Sequence, residues 1–421
     1  MTYEQALEYI HGVSNFFCKP GLERVRELCS ALGNPPRGLK FIHVGGTNGK
    51  GSVSSMLSSV LCAEGYKVGL YTSPYVLRFN ERIRINGKSI GDGELAEITE
   101  HVKLIADRMT DSPTEFELIT AIAFEYFNRE KCDVVLLEVG MGGRLDATNI
   151  IDSPLLSVIT GIALDHTAFL GDTVEKIAAE KAGIIKPLCP VLYGGEDEDA
   201  FKVISAKAKQ IGSDCYRTDH LRLIVNSYSL HGTELSYKGR RNLSISLLGE
   251  YQPKNVATVL DAIDILNDGG FKIGEQAIYE GLKNARWSAR FEIIHQSPTV
   301  IFDGAHNPQG INAAVESIKK YFDRKVVVFT GVLRDKDYRQ IGAKLAEVAS
   351  MAYTITPDNP RALPADEYAK ILQEYGVDST SCTSIEQALK MGMEAASKEE
   401  TALCCLGSLY TYQDVIKAIK S

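Results

Sequence analysis

The chain has 421 residues, of which 44% are hydrophobic and 24% charged, and a formal net charge of −8. That length exceeds one comfortable core and predicts two domains or three, and the composition excludes a disordered or fibrous chain. No block of basic residues is present, so no nucleic-acid partner is expected.

Nine cysteines are scattered along the chain, none in a CxxC pair, and only Cys404 and Cys405 are adjacent. Reduced, mostly buried thiols in a cytoplasmic protein fit this usage. Met1-Thr2-Tyr3-Glu4-Gln5 opens with polar residues instead of an apolar signal core, and Thr2 with Gln5 reads as a capping box that starts a helix. No apolar run is long enough to cross a bilayer, so no membrane partner is expected.

In chain order, continuous apolar runs predict strands at Phe41–Val44, Val68–Tyr71, Val134–Leu137 and Leu156–Ile159. Runs without polar alternation suit strands covered by helices on both faces. Helical patterns lie between them, as over Val53–Glu64 and Phe116–Arg129. From Leu221 to Leu248 the pattern alternates in short steps around Gly232 and Gly239, which predicts antiparallel hairpins, and a helix follows from near Gln252. The βα rhythm then restarts at Thr299–Phe302, Val326–Phe329, Ala352–Ile355 and Leu403–Leu406. The expected fold is therefore α/β: a mainly parallel sheet domain of P-loop type with a small antiparallel subregion, over residues 1–288, then a smaller Rossmann-like α/β domain over 289–421.

The first strand runs into Gly45-Gly46-Thr47-Asn48-Gly49-Lys50-Gly51-Ser52 and then a helix. Glycines let backbone N–H groups turn toward phosphate oxygens, and the helix N-terminus adds a positive dipole end. Lys50 would neutralise phosphate charge, and Ser52 or Thr47 would offer a hydroxyl to Mg²⁺. The strict Walker spacing is broken, because Gly51 separates Lys50 from Ser52 and the first glycine is absent. Three further strands end in polar residues: Ser73, Glu138 and Asp165-His166. Ligands of open α/β sheets bind beyond the carboxyl ends of strands, so these segments are expected on the phosphate-loop side. Ser73, Glu138 and His166 form an oxygen–oxygen–nitrogen set for a divalent ion, although Mg²⁺ rarely takes histidine. A lone His166 is equally a plain hydrogen-bonding residue, and Ser73 before Pro74 a plain turn residue. Lys181 lies in a helix capped by Asp172 or Thr173, where composition alone makes it a solvated charge.

These motifs, with Thr72-Ser73-Pro74, Glu138-Val139-Gly140-Met141-Gly142-Gly143-Arg144-Leu145-Asp146-Ala147-Thr148-Asn149, Leu164-Asp165-His166, Lys181-Ala182-Gly183-Ile184, Trp287-Ser288-Ala289-Arg290, Asp303-Gly304-Ala305-His306-Asn307-Pro308 and Gly407-Ser408-Leu409-Tyr410, span nearly the whole chain. Together they resemble the folylpolyglutamate synthase and dihydrofolate synthase family, a branch of the Mur-type ATP-dependent amide ligases. In that family Lys-Gly-Ser closes the phosphate loop, so the Walker departure becomes an expected feature. The resemblance implies that Thr47, Asn48, Gly49, Lys50, Gly51 and Ser52 cradle ATP, with Asn255, Arg290, Asp303 and His306 as further nucleotide contacts. It implies two Mg²⁺ ions held by Ser52, Ser73, Glu138, His166 and a carbamylated Lys181. Lys50, Lys181 and His306 would carry the chemistry. Ser288-Ala289-Arg290 departs from the Pro-Gly-Arg or Pro-Ala-Arg of many relatives, but keeps the arginine.

The implied reaction joins L-glutamate to a folate, or to dihydropteroate, through an acyl phosphate, in a cytoplasmic enzyme expected to be a monomer. A pterin-bearing acceptor needs an aromatic slot, for which Tyr75, Phe79, Arg82, Phe116 and Thr120 are candidates, although aromatic residues there are usually core. Ser408, Tyr410 and His306 are candidates for glutamate, which is expected to meet the second domain. Two alternatives differ in class. One is a Mur-type ligase for another carboxylate, such as a cell-wall nucleotide precursor, whose enzymes carry a further N-terminal domain that the early phosphate loop leaves no room for. The other is a P-loop ATP-binding protein without amide chemistry. Tail length, folate form and one or both activities are not legible.

Overall fold

The computed structural model describes residues 1–13 and 21–420. The chain folds into two compact units, Met1–Leu223 with Lys254–Ala285, and Ile224–Pro253 with Arg286–Ser421.

The first unit carries an eight-stranded sheet. Its strands are β1 (Phe41–Gly45), β2 (Val68–Tyr71), β3 (Ile83–Ile85), β4 (Lys88–Ser89), β5 (Val134–Glu138), β6 (Leu156–Ile159), β7 (Val191–Tyr193) and β8 (Cys215–Arg217). Their order is β4-β3-β2-β5-β1-β6-β7-β8. The β2–β3 and β3–β4 pairs are antiparallel and the others parallel. The central strands β1, β2, β5 and β6 are buried along their whole length, as their unbroken apolar runs require. The expected helices form over Lys50–Glu64 and Glu115–Arg129, and Thr2 and Gln5 make the predicted capping box. The short strands of mixed composition β4 and β8, at the two sheet edges, and β3, next to β4, present no apolar run that would predict them.

Helix Glu115–Arg129 is fixed by a buried ion pair. Arg24 grips Glu117 through Nε and Nη2, both at 2.9 Å, while Glu117 also accepts from Thr114 N at 2.7 Å. Both side chains are under a tenth exposed. Removing one partner strands the other charge, so Arg24→Ala lowers unfolding free energy by about 3 kcal/mol in denaturant titration. A loss under roughly 1 kcal/mol, the scale of an exposed pair, contradicts this assignment.

The second unit holds two sheets. A three-stranded antiparallel sheet, β9 (Leu223–Ser229), β10 (Gly232–Tyr237) and β11 (Arg240–Ile245), realises the expected hairpins. The main sheet is β12 (Glu292–Gln296), β13 (Thr299–Phe302), β14 (Val326–Thr330), β15 (Ala349–Thr354), β16 (Asp378–Ser381) and β17 (Leu403–Leu406), in the order β12-β13-β17-β14-β15-β16. Only β12 runs antiparallel. A single division after residue 288 would group the hairpins with the first unit, but their packing groups them with the second. Tyr321 explains why: its hydroxyl accepts from Gly249 N at 3.2 Å and lies 3.4 Å from Thr233 Oγ1, and its ring packs edge-on against Tyr228. Leu230 and Leu248 join the same core.

Candidate active site

Strand β1 lies between β5 and β6, so the loop after it emerges at the carboxyl ends of the central parallel strands. Gly46 has φ of +137°, and a Cβ there would collide with Thr160, so only glycine fits. The loop is pinned to the segment after β6. Thr47 N donates to Gly161 O at 2.8 Å, Thr47 Oγ1 lies 3.1 Å from both the N and O of Ala163, and Thr160 Oγ1 donates to Asn48 O at 2.7 Å. Helix Lys50–Glu64 begins at once, with Gly49 as an N-cap that offers no side chain to the first N–H groups. Those donors suit an anion. Asn255 backs the loop, because a Cβ on Gly49 would come within 2.8 Å of its Oδ1.

Two lysines converge on one carbonyl. Lys50 Nζ donates to Gly46 O at 3.2 Å and to Thr47 O at 3.0 Å, and Lys181 Nζ donates to Gly46 O at 2.7 Å. Lys181 is 4% exposed, not solvated as composition suggests. Burial, with Lys50 adding to it, pushes its amine down to about 7, while Asp165 and Asp146 oppose the shift. The helix Val174–Ala182, capped by Thr173, delivers it. That helix packs closely on the glycine-rich turn after β5. A Cβ on Gly143 would sit 2.8 Å from Glu180 O, Arg144 N donates to Glu180 O at 2.9 Å, and Asn149 Nδ2 donates to Gly183 O at 3.0 Å.

Glu138 ends β5 in register with Val44 of β1, two residues before Gly46. It is 4% exposed and accepts from Ser73 N at 3.2 Å, which brings Ser73 and Glu138 together. Ser52 is buried in the first turn of the phosphate-loop helix. His166 is half exposed in a left-handed conformation (φ +49°), with Nε2 4.0 Å from Asp165 Oδ1. Among the described residues, no three His, Cys, Asp or Glu side chains group as a metal site. A cation here would thus depend on hydroxyls and Glu138 as well as His166.

Of the acceptor candidates, Phe116 packs against the Tyr71 ring at 6.1 Å, and Thr120 is fully buried. The Thr120 hydroxyl donates to Phe116 O at 2.7 Å and accepts from the Tyr71 hydroxyl at 3.1 Å. Tyr75, Phe79 and Arg82 form one stack, with the Arg82 guanidinium 5.1 Å from the Tyr75 ring and 5.7 Å from that of Phe79. Tyr75 is partly exposed, whereas Phe79 is core.

In the second unit, Asp303 is buried beyond β13. Its Oδ1 accepts from Ala305 N at 2.8 Å, and its Oδ2 from Phe291 N and the Tyr251 hydroxyl, both at 2.9 Å. Burial raises its carboxyl above the usual range, against the nearby Arg290 and these donors. Arg290 Nη1 donates to Ala289 O at 3.1 Å, and His306 Nδ1 lies 2.8 Å from Gly304 O. Ser408 is buried, and its Oγ accepts from Tyr410 N at 3.2 Å to cap a short turn.

Comparison with known proteins converges on one family. The Mur ligase middle domain matches residues 44–263, and the Mur ligase glutamate ligase domain matches 289–409. The dihydrofolate synthase/folylpolyglutamate synthase of Bacillus subtilis is 35% identical over 100% of this chain and 99% of its own. The chain belongs to the folylpolyglutamate synthase/dihydrofolate synthase family of Mur-type ligases. The folylpolyglutamate synthase of Lacticaseibacillus casei is 39% identical over 87% of this chain and 89% of its own. A structure of Escherichia coli FolC in complex with DHPP and ADP superposes with a TM-score of 0.88 at 33% identity, covering 100% of this chain and 98% of that one. The resemblance carried by the phosphate loop and its companion motifs is thus borne out, as is the α/β fold, and this family member is an ATP-dependent ligase.

Within the ligase, three residues given no role from sequence stand out. Gly46 supplies the carbonyl that both lysines share, Tyr71 fixes Thr120, and Asp146 is a buried carboxylate beside Phe116. The cost of an unpaired buried charge points to Asp146 only once its burial is known.

Proposed function

We propose that this ligase joins L-glutamate to a folate, consuming ATP through an acyl phosphate. The convergence of Lys50 and Lys181 on Gly46 O, two residues beyond Val44, which pairs in register with Glu138, carries the reading. The acceptor carboxylate oxygen takes the γ-phosphoryl group and ADP leaves. The glutamate amine then attacks the acyl carbon, and phosphate and a proton depart as the amide forms.

The loop N–H groups and helix dipole bind the phosphates, and Lys50 balances their charge as the phosphoryl group transfers. Thr47 to Ser52 and Asn255 are assigned to ATP, as are Arg290, Asp303 and His306, with His306 also serving the chemistry. Ser52, Ser73, Glu138 and His166 would hold Mg²⁺, and a carbamylated Lys181 a second ion. The hard oxygens of that set and a buried carboxylate suit the metal. Magnesium, when bound, neutralises the β- and γ-phosphate oxygens. Carbamylation needs a neutral amine, which the burial of Lys181 supplies. Tyr75, Arg82, Phe116 and Thr120 border the acceptor, and Ser408 is assigned to glutamate, which would bind the unit over 289–421. The reading expects a cytoplasmic monomer.

Mass analysis of products from tetrahydrofolate and from dihydropteroate, each with ATP and glutamate, tests this. One or more added glutamyl residues on tetrahydrofolate are expected, and product from dihydropteroate assigns the second activity as well. ATP turnover indifferent to both acceptors and to glutamate overturns the reading.

A further inference from the structure

His43 is a fully buried titratable group that the mechanism leaves unused. His43 sits in the middle of β1, wholly inaccessible, and burial beside Lys186 lowers its pKa to about 3. The ring is therefore neutral and carries one N–H. Its Nε2 lies 2.9 Å from Thr148 Oγ1, and its Nδ1 has no partner.

Thr148 Oγ1 in turn lies 2.5 Å from Asp146 Oδ1, which also accepts from Thr148 N at 3.1 Å. Asp146 Oδ2 accepts from Met141 N at 2.9 Å. Burial raises the Asp146 carboxyl above its usual range, while the Thr148 hydroxyl and the backbone donors aimed at it favour the ionised form, in which it accepts from all of them. The Thr148 hydroxyl proton then points to Asp146, and Thr148 oxygen accepts from His43, which places the ring proton on Nε2. The result is a directed chain, His43 Nε2–H to Thr148 Oγ1–H to Asp146. At its far end the carboxylate flanks the Phe116 ring. A Cβ on Gly140 would lie 3.1 Å from Asp146 Oδ2 and 2.6 Å from that ring.

We propose that His43 is a positioning residue for the acceptor slot, holding the Asp146 carboxylate through Thr148 against the turn that seats Phe116. The inference rests on the reading that Phe116 and Thr120 border the folate acceptor. A merely structural His43 would act differently. It lies two residues before Gly45, so loosening β1 would disturb the phosphate loop and weaken ATP binding.

The test is steady-state kinetics with tetrahydrofolate, ATP and glutamate varied in turn, for Thr148→Val, Thr148→Ser, His43→Leu and His43→Gln. Thr148→Val keeps shape but breaks the chain, and it serves if His43→Leu fails to fold. Loss of a buried hydrogen bond to a charged group predicts a rise of roughly tenfold or more in the tetrahydrofolate KM for Thr148→Val and His43→Leu. The KM values for ATP and glutamate stay near those of the wild type. Thr148→Ser restores the hydroxyl and His43→Gln restores a donor at similar reach, so both return the acceptor KM toward the wild-type value. A Thr148→Val enzyme with unchanged acceptor KM, or with an equal rise in ATP KM, overturns the inference while leaving the ligase reading intact. So does a Thr148→Ser enzyme as impaired as Thr148→Val. A wild-type enzyme that turns over neither acceptor overturns both.

Discussion

Lys181→Ala abolishes ligation, lowering turnover by roughly a thousandfold or more, and a small carboxylate such as acetate restores part of it. The side chain reaches the phosphate loop through a single donor contact to Gly46 O, and its amine is buried and pushed down to about 7. With a pKa near 7 a substantial fraction of the amine is neutral at physiological pH and can take up CO₂, and the carbamate so formed is a carboxylate on a lysine stem. Alanine leaves a space that an added carboxylate can enter. If Lys181 acts instead as an ammonium, Lys181→Arg keeps activity and a small amine rescues the alanine variant, whereas carboxylates do nothing. Stability offers a second readout. The folded amine binds its proton less readily than the unfolded one, so between about pH 7 and the ordinary lysine range the unfolded chain holds more protons. Unfolding free energy therefore rises with pH across that window, and the component is absent below it. In Lys181→Ala that slope is lost. A variant with full activity and an unchanged pH profile removes Lys181 from the site.

What sequence made legible depended on how local the signal was. The central strands β1, β2, β5 and β6 are runs of buried apolar residues, and their bounds match the expected ones within a residue. Strand β16, Asp378-Ser379-Thr380-Ser381, carries no such run, and only pairing with β15 makes it a strand. Chemistry alone misjudged Lys181, because a lysine in a last helical turn looks solvated until the turn at Gly143 is packed over its helix. Resemblance to a family supplied the role proposed for it where spacing could not. Asp146 and Tyr71 show the remaining limit. One sits in a glycine-rich motif and the other in an apolar strand; Asp146 meets Thr148 and Met141 locally, but Thr120 reaches Tyr71, and His43 reaches Thr148, only through the fold. The grouping of the hairpins with the second unit is similarly tertiary, since it turns on Tyr321, far along the chain from Gly249.

Lys50→Met should cost at least as much as the loss of Lys181, and for two separable reasons. Methionine keeps the length and packing of the stem but removes the charge that balances the phosphates, which in phosphoryl transfer is most of what the protein supplies. Turnover is expected to fall by roughly a thousandfold, with the KM for ATP raised as well. The second reason is indirect. Lys50 and Lys181 share the Gly46 carbonyl, and the Lys50 charge helps to hold the Lys181 amine down. Without it the Lys181 pKa rises, less of the amine is neutral at a given pH, and less is available for carbamylation. Raising pH together with bicarbonate therefore recovers a part of the lost turnover in Lys50→Met, but none in the Lys50→Met, Lys181→Ala double variant. Equal responses of the single and double variants to bicarbonate would show that the two lysines act independently. A Lys50→Met enzyme whose ATP KM and turnover match the wild type would remove the phosphate role of the loop itself.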